Sequence, residues 1–333
     1  MNLSIAYFNA GEPEKALELQ LKALKIAPDN SFIYDNAANS YEALNRFEEA
    51  KTIEKQAIAH GIDKMSQHTT LYEIAFAQGD TAEMRRQVEW ARGKPDEWSM
   101  HLDEAMAAGS GGRAREFRRL WQLAYDGAAR QKAEGLEAIC SCIRGGYAIA
   151  FGFPSEARAW ANECLKLSHN ELAWPAAILA QAGDSARAQA IVDDLAKRRP
   201  TDTLLNETDL PQARAAIAIS RGDGEAAEEA VRSARRYERT QYGTGYFRGL
   251  AYLKSKKGKE AAVEFQQVIS RDGIIPLWLA HPMARLDLAR AYALQGDTSA
   301  ARKAYQDFFA LWKDTDPDVP ILVQAKSEYA KLP

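Results

Sequence analysis

Small and apolar residues return along this chain at a fixed interval of 34 positions, with polar residues between them. The first unit has Leu3, Tyr7, Gly11, Ala16, Ala23 and Pro28 in these slots. The next two units have Ala37, Tyr41, Asn45, Ala50, Ala57 and Ile62, and then Leu71, Ala75, Gly79, Met84, Ala91 and Asp96. A repeat of this length with small residues at fixed slots predicts pairs of antiparallel helices stacked in a row.

Turn signals follow a similar interval and predict about nine helical hairpins, spaced 31 to 40 residues apart. A glycine tolerates the left-handed backbone that ends a first helix, and a following Asp, Ser or Thr caps the second helix. The predicted turns are Gly11-Glu12-Pro13, Asn45-Arg46, Gly79-Asp80, Gly112-Arg113, Gly152-Phe153-Pro154, Gly183-Asp184, Gly222-Asp223, Lys257-Gly258 and Gly296-Asp297.

The pattern of small and aromatic slots resembles the tetratricopeptide repeat. The last full unit matches it through Ala289, Tyr292, Ala301 and Tyr305, and the unit before through Gly249, Tyr252, Ala261 and Phe265. In the middle of the chain the tyrosine slot holds Gly109, Ala148 or Ala218, so we expect hairpins there without standard repeat geometry. The resemblance implies an all-α fold, a right-handed α-solenoid of about nine hairpins with a C-terminal capping helix.

We expect four parts along the chain. Residues 1–97 form N-terminal repeats, with a truncated first repeat that leads us to expect further sequence upstream. Residues 98–215 form divergent hairpins, and residues 216–313 form C-terminal repeats. Residues 314–333 form a linker and a capping helix, because two prolines interrupt the helix after Trp312.

The closing stretch, residues 281–332, gives a second resemblance. It is similar to the end of the repeat tails on bacterial eukaryote-like serine/threonine protein kinases, and related winged-helix transcription regulators carry similar tails. This resemblance implies a sensor or docking tail whose kinase or DNA-binding domain lies elsewhere. The chain itself has no His-Arg-Asp, Asp-Phe-Gly or Val-Ala-Ile-Lys motif, so we expect no enzyme activity.

Composition narrows the class of partner. The net charge is −3, which gives no overall field favouring nucleic acid or an anionic membrane. No stretch approaches the roughly 18 apolar residues of a membrane span. We therefore expect a cytoplasmic protein, or an extracytoplasmic one if an anchor lies upstream. The three cysteines, Cys140, Cys142 and Cys164, are too few and odd in number for a disulfide framework, and we expect buried thiols.

Residues that resemble catalytic or ligand sites are better explained by the helices. None of the five histidines has a metal-ligand spacing to another His or Cys, so we expect no metal and no cofactor. Acidic residues interrupt the arginine clusters at 113–119 and 235–239, which favours solvated helix faces over nucleic-acid binding. The seven tryptophans are expected to fill gaps between repeats.

In tetratricopeptide repeats the first helix of each hairpin lines the concave wall, and the resemblance identifies the residues that face it. The second and third repeats offer Phe32, Asp35, Asn39, Glu42, Thr69, Glu73 and Phe76, and the eighth and ninth offer Tyr246, Leu250, Leu286 and Arg290. The acidic, amide-bearing N-terminal wall suits a basic or extended peptide. The alternative is that these residues are merely exposed on their helices.

We expect the double substitution Asp35→Lys/Glu73→Lys to weaken binding of such a peptide, because it reverses the charge of the N-terminal wall. Helicity, measured by circular dichroism, should not fall. Unchanged affinity in a fluorescence polarisation assay would contradict this assignment of the groove.

Overall fold

The computed structural model describes residues 2–131, 134–241, 243–271 and 273–333. Within them, eighteen helices form nine consecutive hairpins and a nineteenth follows, with no strand. The hairpins are α1 (Asn2–Asn9) with α2 (Pro13–Ile26), α3 (Ser31–Ala43) with α4 (Phe47–Ala59), α5 (Met65–Gln78) with α6 (Thr81–Ala91), α7 (Glu97–Ser110) with α8 (Ala114–Arg130), α9 (Glu134–Phe151) with α10 (Pro154–Leu167), α11 (Trp174–Gln181) with α12 (Ser185–Arg198), α13 (Leu210–Arg221) with α14 (Gly224–Ala230), α15 (Thr244–Lys254) with α16 (Gly258–Ser270), and α17 (Ala280–Leu294) with α18 (Thr298–Leu311). The last helix is α19 (Pro320–Ala330).

All nine predicted turns are present. Eight contain a residue with positive φ, a glycine in seven turns and Asn45 in the eighth, and in the ninth the residue with positive φ is Lys256, directly before Lys257-Gly258. At four turns an aspartate accepts a hydrogen bond from the amide three residues later: Asp80, Asp184, Asp223 and Asp297. The turn chemistry therefore ends one helix and starts the next, as the sequence predicts.

The recurring alanine slot lies where the two helices of a hairpin meet. The alanines in this slot are Ala16, Ala50, Ala157, Ala188, Ala227, Ala261 and Ala301, and each is 0% exposed. A larger side chain there would push the helices apart, because protein interiors are close-packed. The second helix of each hairpin also packs on the first helix of the next, which makes the array continuous.

The divergent middle keeps its hairpins but departs from regular helix in the seventh repeat. A π-helical turn spans Leu205–Asp209, and a 3₁₀ turn spans Ser233–Tyr237. In the fourth repeat Gly109 replaces the expected tyrosine, and a Cβ at this position would lie 2.4 Å from the ring of Tyr147. The missing side chain lets Tyr147 pack directly on α7.

The expectation of three free thiols is wrong for two of them. Cys142 on α9 and Cys164 on α10 form a disulfide with a Cα–Cα distance of 5.4 Å. The antiparallel hairpin brings the two positions together, which a count of cysteines does not reveal. Cys140 stays a buried free thiol, and burial raises its pKa to about 12.

Residues far apart in sequence also touch, because the array winds back on itself. The Thr240 hydroxyl donates to the Phe8 carbonyl at 2.6 Å, and Trp312 Nε1 donates to the Ser110 carbonyl at 2.9 Å. The capping helix α19 packs against both α18 and α9. Among the described residues, no helix is long and apolar enough to cross a membrane.

We expect Trp312→Ala to lower the free energy of unfolding by about 3–5 kcal/mol, measured by urea denaturation. The indole is 2% exposed and packs on Phe308 and Phe151. Trp312→Phe should cost about 1 kcal/mol, the value of one hydrogen bond. Leu311→Ala is the matched control, since Leu311 is 42% exposed. Equal losses for Trp312→Ala and Leu311→Ala would contradict this contact between distant repeats.

Candidate functional site

A segment between the eighth and ninth repeats crosses the inner surface of the solenoid. We call residues 271–279 the crossing segment; residue 272 lies outside the described residues. The side-chain amide of Asn45, at the α3–α4 turn, forms two hydrogen bonds at the start of the crossing segment. Asn45 Nδ2 donates to the Ser270 carbonyl at 2.7 Å, and Asn45 Oδ1 accepts from Gly273 N at 3.1 Å. The crossing segment thereby ties the eighth repeat to the second.

Leu277 fixes the other end of the crossing segment. Its side chain is 0% exposed and packs in a cluster that includes Met65, Tyr72 and Met100 from α5 and α7. Its carbonyl accepts hydrogen bonds from the Tyr147 hydroxyl at 2.8 Å and the Ser110 hydroxyl at 3.3 Å. The inner face of the third and fourth repeats is therefore covered by the chain itself.

Beside the crossing segment lies an apolar cavity of about 280 Å³. Its walls come from the first helices of the fourth to eighth repeats and from the crossing segment. The main lining residues are Met106, Ile143, Ile149, Trp174, Ile178, Phe247, Ile275, Trp278 and Leu279, with the amides of Gln181 and Gln212. No lining residue carries a formal charge at neutral pH, so the cavity suits an uncharged apolar group. A dry cavity of about half this volume holds benzene.

Of the two C-terminal residues of the predicted groove, Tyr246 lines the cavity and Arg290 lies in ion pairs beside the capping helix. The Tyr246 ring lines the cavity, and its hydroxyl donates to Asp287 Oδ2 at 2.9 Å. Burial, together with the Asp287 carboxylate, raises the pKa of Tyr246 well above its usual value. Arg290 forms ion pairs with Asp287 and Glu328, both at 2.9 Å. These pairs hold the ninth repeat to the capping helix and occupy the guanidinium.

The N-terminal residues of the predicted groove range from exposed to buried. Asn39 is exposed, and Asp35 and Glu73 are half-buried. The Asp35 carboxylate accepts a hydrogen bond from Gln67, and burial raises the pKa of Asp35. Glu42 is only 4% exposed. The four residues therefore do not form one open strip along the wall.

Glu42 and Glu73 belong to a group of acidic side chains that also includes Glu54 and Asp103, and we call these four residues the carboxyl cluster. Glu54 is 0% exposed and Asp103 is 9% exposed. Both Glu54 carboxylate oxygens, Glu42 Oε1 and Asp103 Oδ2 have no hydrogen-bond partner within the described part of the chain. Burial raises the pKa of Glu73 to about 7, and burial with the nearby Asp35 charge raises that of Glu54 to about 8. Burial and the neighbouring carboxylates raise the pKa values of Glu42 and Asp103 well above normal.

Comparison with known proteins agrees with this architecture. Residues 1–27 match the family model described as tetratricopeptide repeat. A solved structure of Rap protein complexed with competence and sporulation factor superposes with a TM-score of 0.51 at 14% identity, covering 100% of this chain and 98% of that chain. The fold is a tetratricopeptide-repeat solenoid. No curated protein matches the sequence.

Other solved structures superpose on this tetratricopeptide-repeat solenoid less well. A monomeric IFIT1 mutant with m7Gppp-AAAA gives a TM-score of 0.47 at 15% identity, over 89% of this chain and 77% of that chain. Yeast Tom70 gives 0.32 at 15% identity, over 99% of this chain and 87% of that chain.

The sequence pattern missed Glu54 and Asp103, although one signal was available. Glu54 falls in the stripe Ala50, Glu54, Ala57 at helical spacing, so an acid stands on the packed face of α4. The tryptophan expectation also needs correction at two positions, because Trp174 and Trp278 line the cavity. Trp121 and Trp312 are buried between helices, as expected.

Most arginines in the two clusters, at 113–119 and 235–239, form ion pairs with acidic residues of the solenoid. In the first cluster, Arg118 pairs with Glu156 at 2.8 Å and Arg119 pairs with Glu116 at 2.7 Å. In the second cluster, Arg239 pairs with Glu14 on α2. These partners support the interpretation of the clusters as helix-surface charges, some of which join separate repeats.

The raised pKa values predict that the protein loses stability as pH rises from about 5 to 8. The folded chain holds protons on Glu73 and Glu54 that the unfolded chain releases near pH 4.3. The contribution of these two acids to the free energy of unfolding is therefore largest below that pH. It falls as the pH rises, until both acids ionise in the folded state as well. We expect the free energy of unfolding of Glu54→Gln to fall less between pH 5 and 8 than that of the wild type, by on the order of 2 kcal/mol.

The measurement is the free energy of unfolding in urea at several pH values between 5 and 8. Glu89→Gln, at an exposed acid on α6, is the control and should behave like the wild type. An identical pH dependence for Glu54→Gln and the wild type would show that the carboxyl at position 54 does not hold a proton in the folded state.

Proposed function

We propose that this chain is a non-catalytic binding module that takes an apolar side chain of an extended partner segment into the cavity beside the crossing segment. The cavity itself is the observation that carries the proposal. It has a volume of about 280 Å³ and apolar walls, and it lies on the first helices of the fourth to eighth repeats. Preformed apolar clefts with a few polar groups are the usual form of ligand sites.

The chemistry of the walls favours binding over catalysis. The side chains are aliphatic, aromatic or amide, and Cys142 is committed to its disulfide. The Tyr147 hydroxyl is bonded to the Leu277 carbonyl, and burial raises its pKa further above the neutral range. None of these groups is poised to transfer a proton near neutral pH.

An extended peptide fits this surface because the walls of the cavity follow successive first helices. The side-chain amides of Gln181 and Gln212 lie beside the apolar residues and give this wall its polar groups. In the Rap structure the bound molecule is competence and sporulation factor. We propose a comparable role here, the capture of a ligand by the inner surface. Regulation of a serine/threonine kinase or of a winged-helix transcription regulator stays a prediction from the sequence resemblance.

The test uses Ala177→Trp, which places an indole in the cavity from α11. Peptides selected from a displayed random library on the wild type should contain a large apolar residue. Their dissociation constants, measured by fluorescence polarisation, should rise about tenfold in the variant, because filling the pocket costs the peptide its anchor, worth about 1.4 kcal/mol or more.

Ala190→Trp adds the same side chain at an exposed position on α12 and should leave binding unchanged. Circular dichroism checks that both variants fold. Selected peptides that bind Ala177→Trp as tightly as the wild type would refute the cavity as the site.

A further inference from the structure

The disulfide between Cys142 and Cys164 lies beside the apolar cavity. Cys142 is among the residues that line the cavity and is 2% exposed, whereas Cys164, on the outer helix α10, is 0% exposed. Cys142 shares one stripe of α9 with Gly146 and Ile149, which also line the cavity. Trp174 both lines the cavity and is 36% exposed, so solvent reaches the cavity at the start of α11. The disulfide therefore borders the cavity through Cys142.

The remaining cysteine of the chain does not belong to this site. Cys140 is 0% exposed and packs in a cluster with Trp121, whose Nε1 donates to the Cys140 carbonyl at 2.8 Å. Residues two apart on a helix point to different sides, and burial raises the pKa of Cys140 to about 12. A buried thiol of this kind is a poor nucleophile. A thiol that opens the disulfide must therefore come from outside the chain.

The disulfide holds the junction between two walls of the cavity. Cys164 lies in the last turn of α10, and ten residues later Trp174 begins α11, which forms the wall next to α9. From the other side, Arg198 on α12 donates to the Asn170 carbonyl at 2.8 Å and pairs with Glu171 at 2.6 Å. Breaking the disulfide would remove the covalent link between α9 and the end of α10, where the linker to α11 starts.

We propose that the Cys142–Cys164 bond is a thiol–disulfide exchange site that small uncharged thiols reach through the apolar cavity, and that an occupant of the cavity protects the bond. The side chains that line the cavity carry no formal charge, so a charged molecule would lose its hydration there without gaining a partner. The inference uses the cavity but does not depend on the peptide proposed as its ligand.

The exchange takes place in two steps. A small thiol, as its thiolate, attacks Cys142 Sγ and forms a mixed disulfide, while the bond to Cys164 breaks. Cys164 leaves as a thiolate and takes up the proton that the small thiol released. A second small thiol then attacks the mixed disulfide, which frees Cys142 as a thiol and releases the two small molecules joined as their own disulfide. Two external thiols are oxidised, and one protein disulfide is reduced.

The test measures the rate at which 2-mercaptoethanol reduces the disulfide of the folded protein at pH 8. Samples are quenched with acid, alkylated in denaturant and weighed by intact mass spectrometry. We expect Ala177→Trp, which fills the cavity, to be reduced about tenfold more slowly than the wild type, because it blocks access to the native bond. Ala190→Trp, at an exposed position on α12, should be reduced at the wild-type rate.

The direction of this change separates access from stability. Overfilling a packed wall lowers stability, and lower stability would speed any reduction that occurs through unfolding. Slower reduction of Ala177→Trp therefore reports a blocked route through the cavity. Reduction of folded Ala177→Trp as fast as the wild type, or faster, would overturn the proposal. Peptide affinities are measured on the oxidised protein, so this result leaves the test of the proposed function unaffected.

A second measurement needs only the wild type and compares two thiols of similar size. 2-Mercaptoethanesulfonate differs from 2-mercaptoethanol by its anionic sulfonate. Each rate on the folded protein is divided by the rate of the same thiol on the protein unfolded in urea, which removes differences in intrinsic reactivity. We expect this ratio to be about tenfold lower for the sulfonate, because an apolar cavity excludes the anion. Equal ratios would show that the bond reacts only after unfolding, and would overturn the proposal.

Discussion

The burial of Leu277 between α5 and α7 is the contact on which the inner surface of this solenoid depends. Stacked hairpins touch only their neighbours, and this alone would leave an open concave wall. Leu277 and the hydrogen bonds to its carbonyl bring the crossing segment across that wall instead. The segment covers the inner face of α5 and α7 and forms one side of the apolar cavity. The shape of both surfaces thus follows from one anchored side chain.

The position of the crossing segment also explains two local departures from the repeat pattern. Gly109 stands where a tyrosine is expected, and its missing side chain lets the Tyr147 ring pack on α7. From there the Tyr147 hydroxyl reaches both the Leu277 and the Met106 carbonyls. Asn45 stands in a turn where most repeats have glycine, and its side-chain amide bonds to both Ser270 and Gly273. A residue that breaks a repeat pattern is in both cases one that makes a long-range contact.

The carboxyl cluster is unfavourable for the stability of the fold. Four acids on α3, α4, α5 and α7 lie where apolar residues would pack better, and their raised pKa values reflect that cost. Residues retained at such a cost are candidates for a functional role. By contrast, Arg290 and Asp287 neutralise each other and join the ninth repeat to α19 through Glu328. Paired charges therefore join separate repeats, whereas the acids of the carboxyl cluster have raised pKa values because they are buried near one another.

The amino-acid sequence by itself determined the hairpins, their nine turns and the small-residue slots, because these depend on local backbone preference and on helical periodicity. It also indicated an acidic N-terminal wall through Asp35, Glu42 and Glu73. Only the tertiary structure decided that Glu54 and Asp103 are buried near these acids, that Cys142 pairs with Cys164, and that Arg290 is occupied by ion pairs. The crossing segment has no periodicity, and its place on the inner surface depends on residues such as Asn45 and Tyr147, which lie more than a hundred positions away. Spacing along a chain encodes neighbours within a repeat, whereas contacts between distant turns of a solenoid depend on how all the repeats stack.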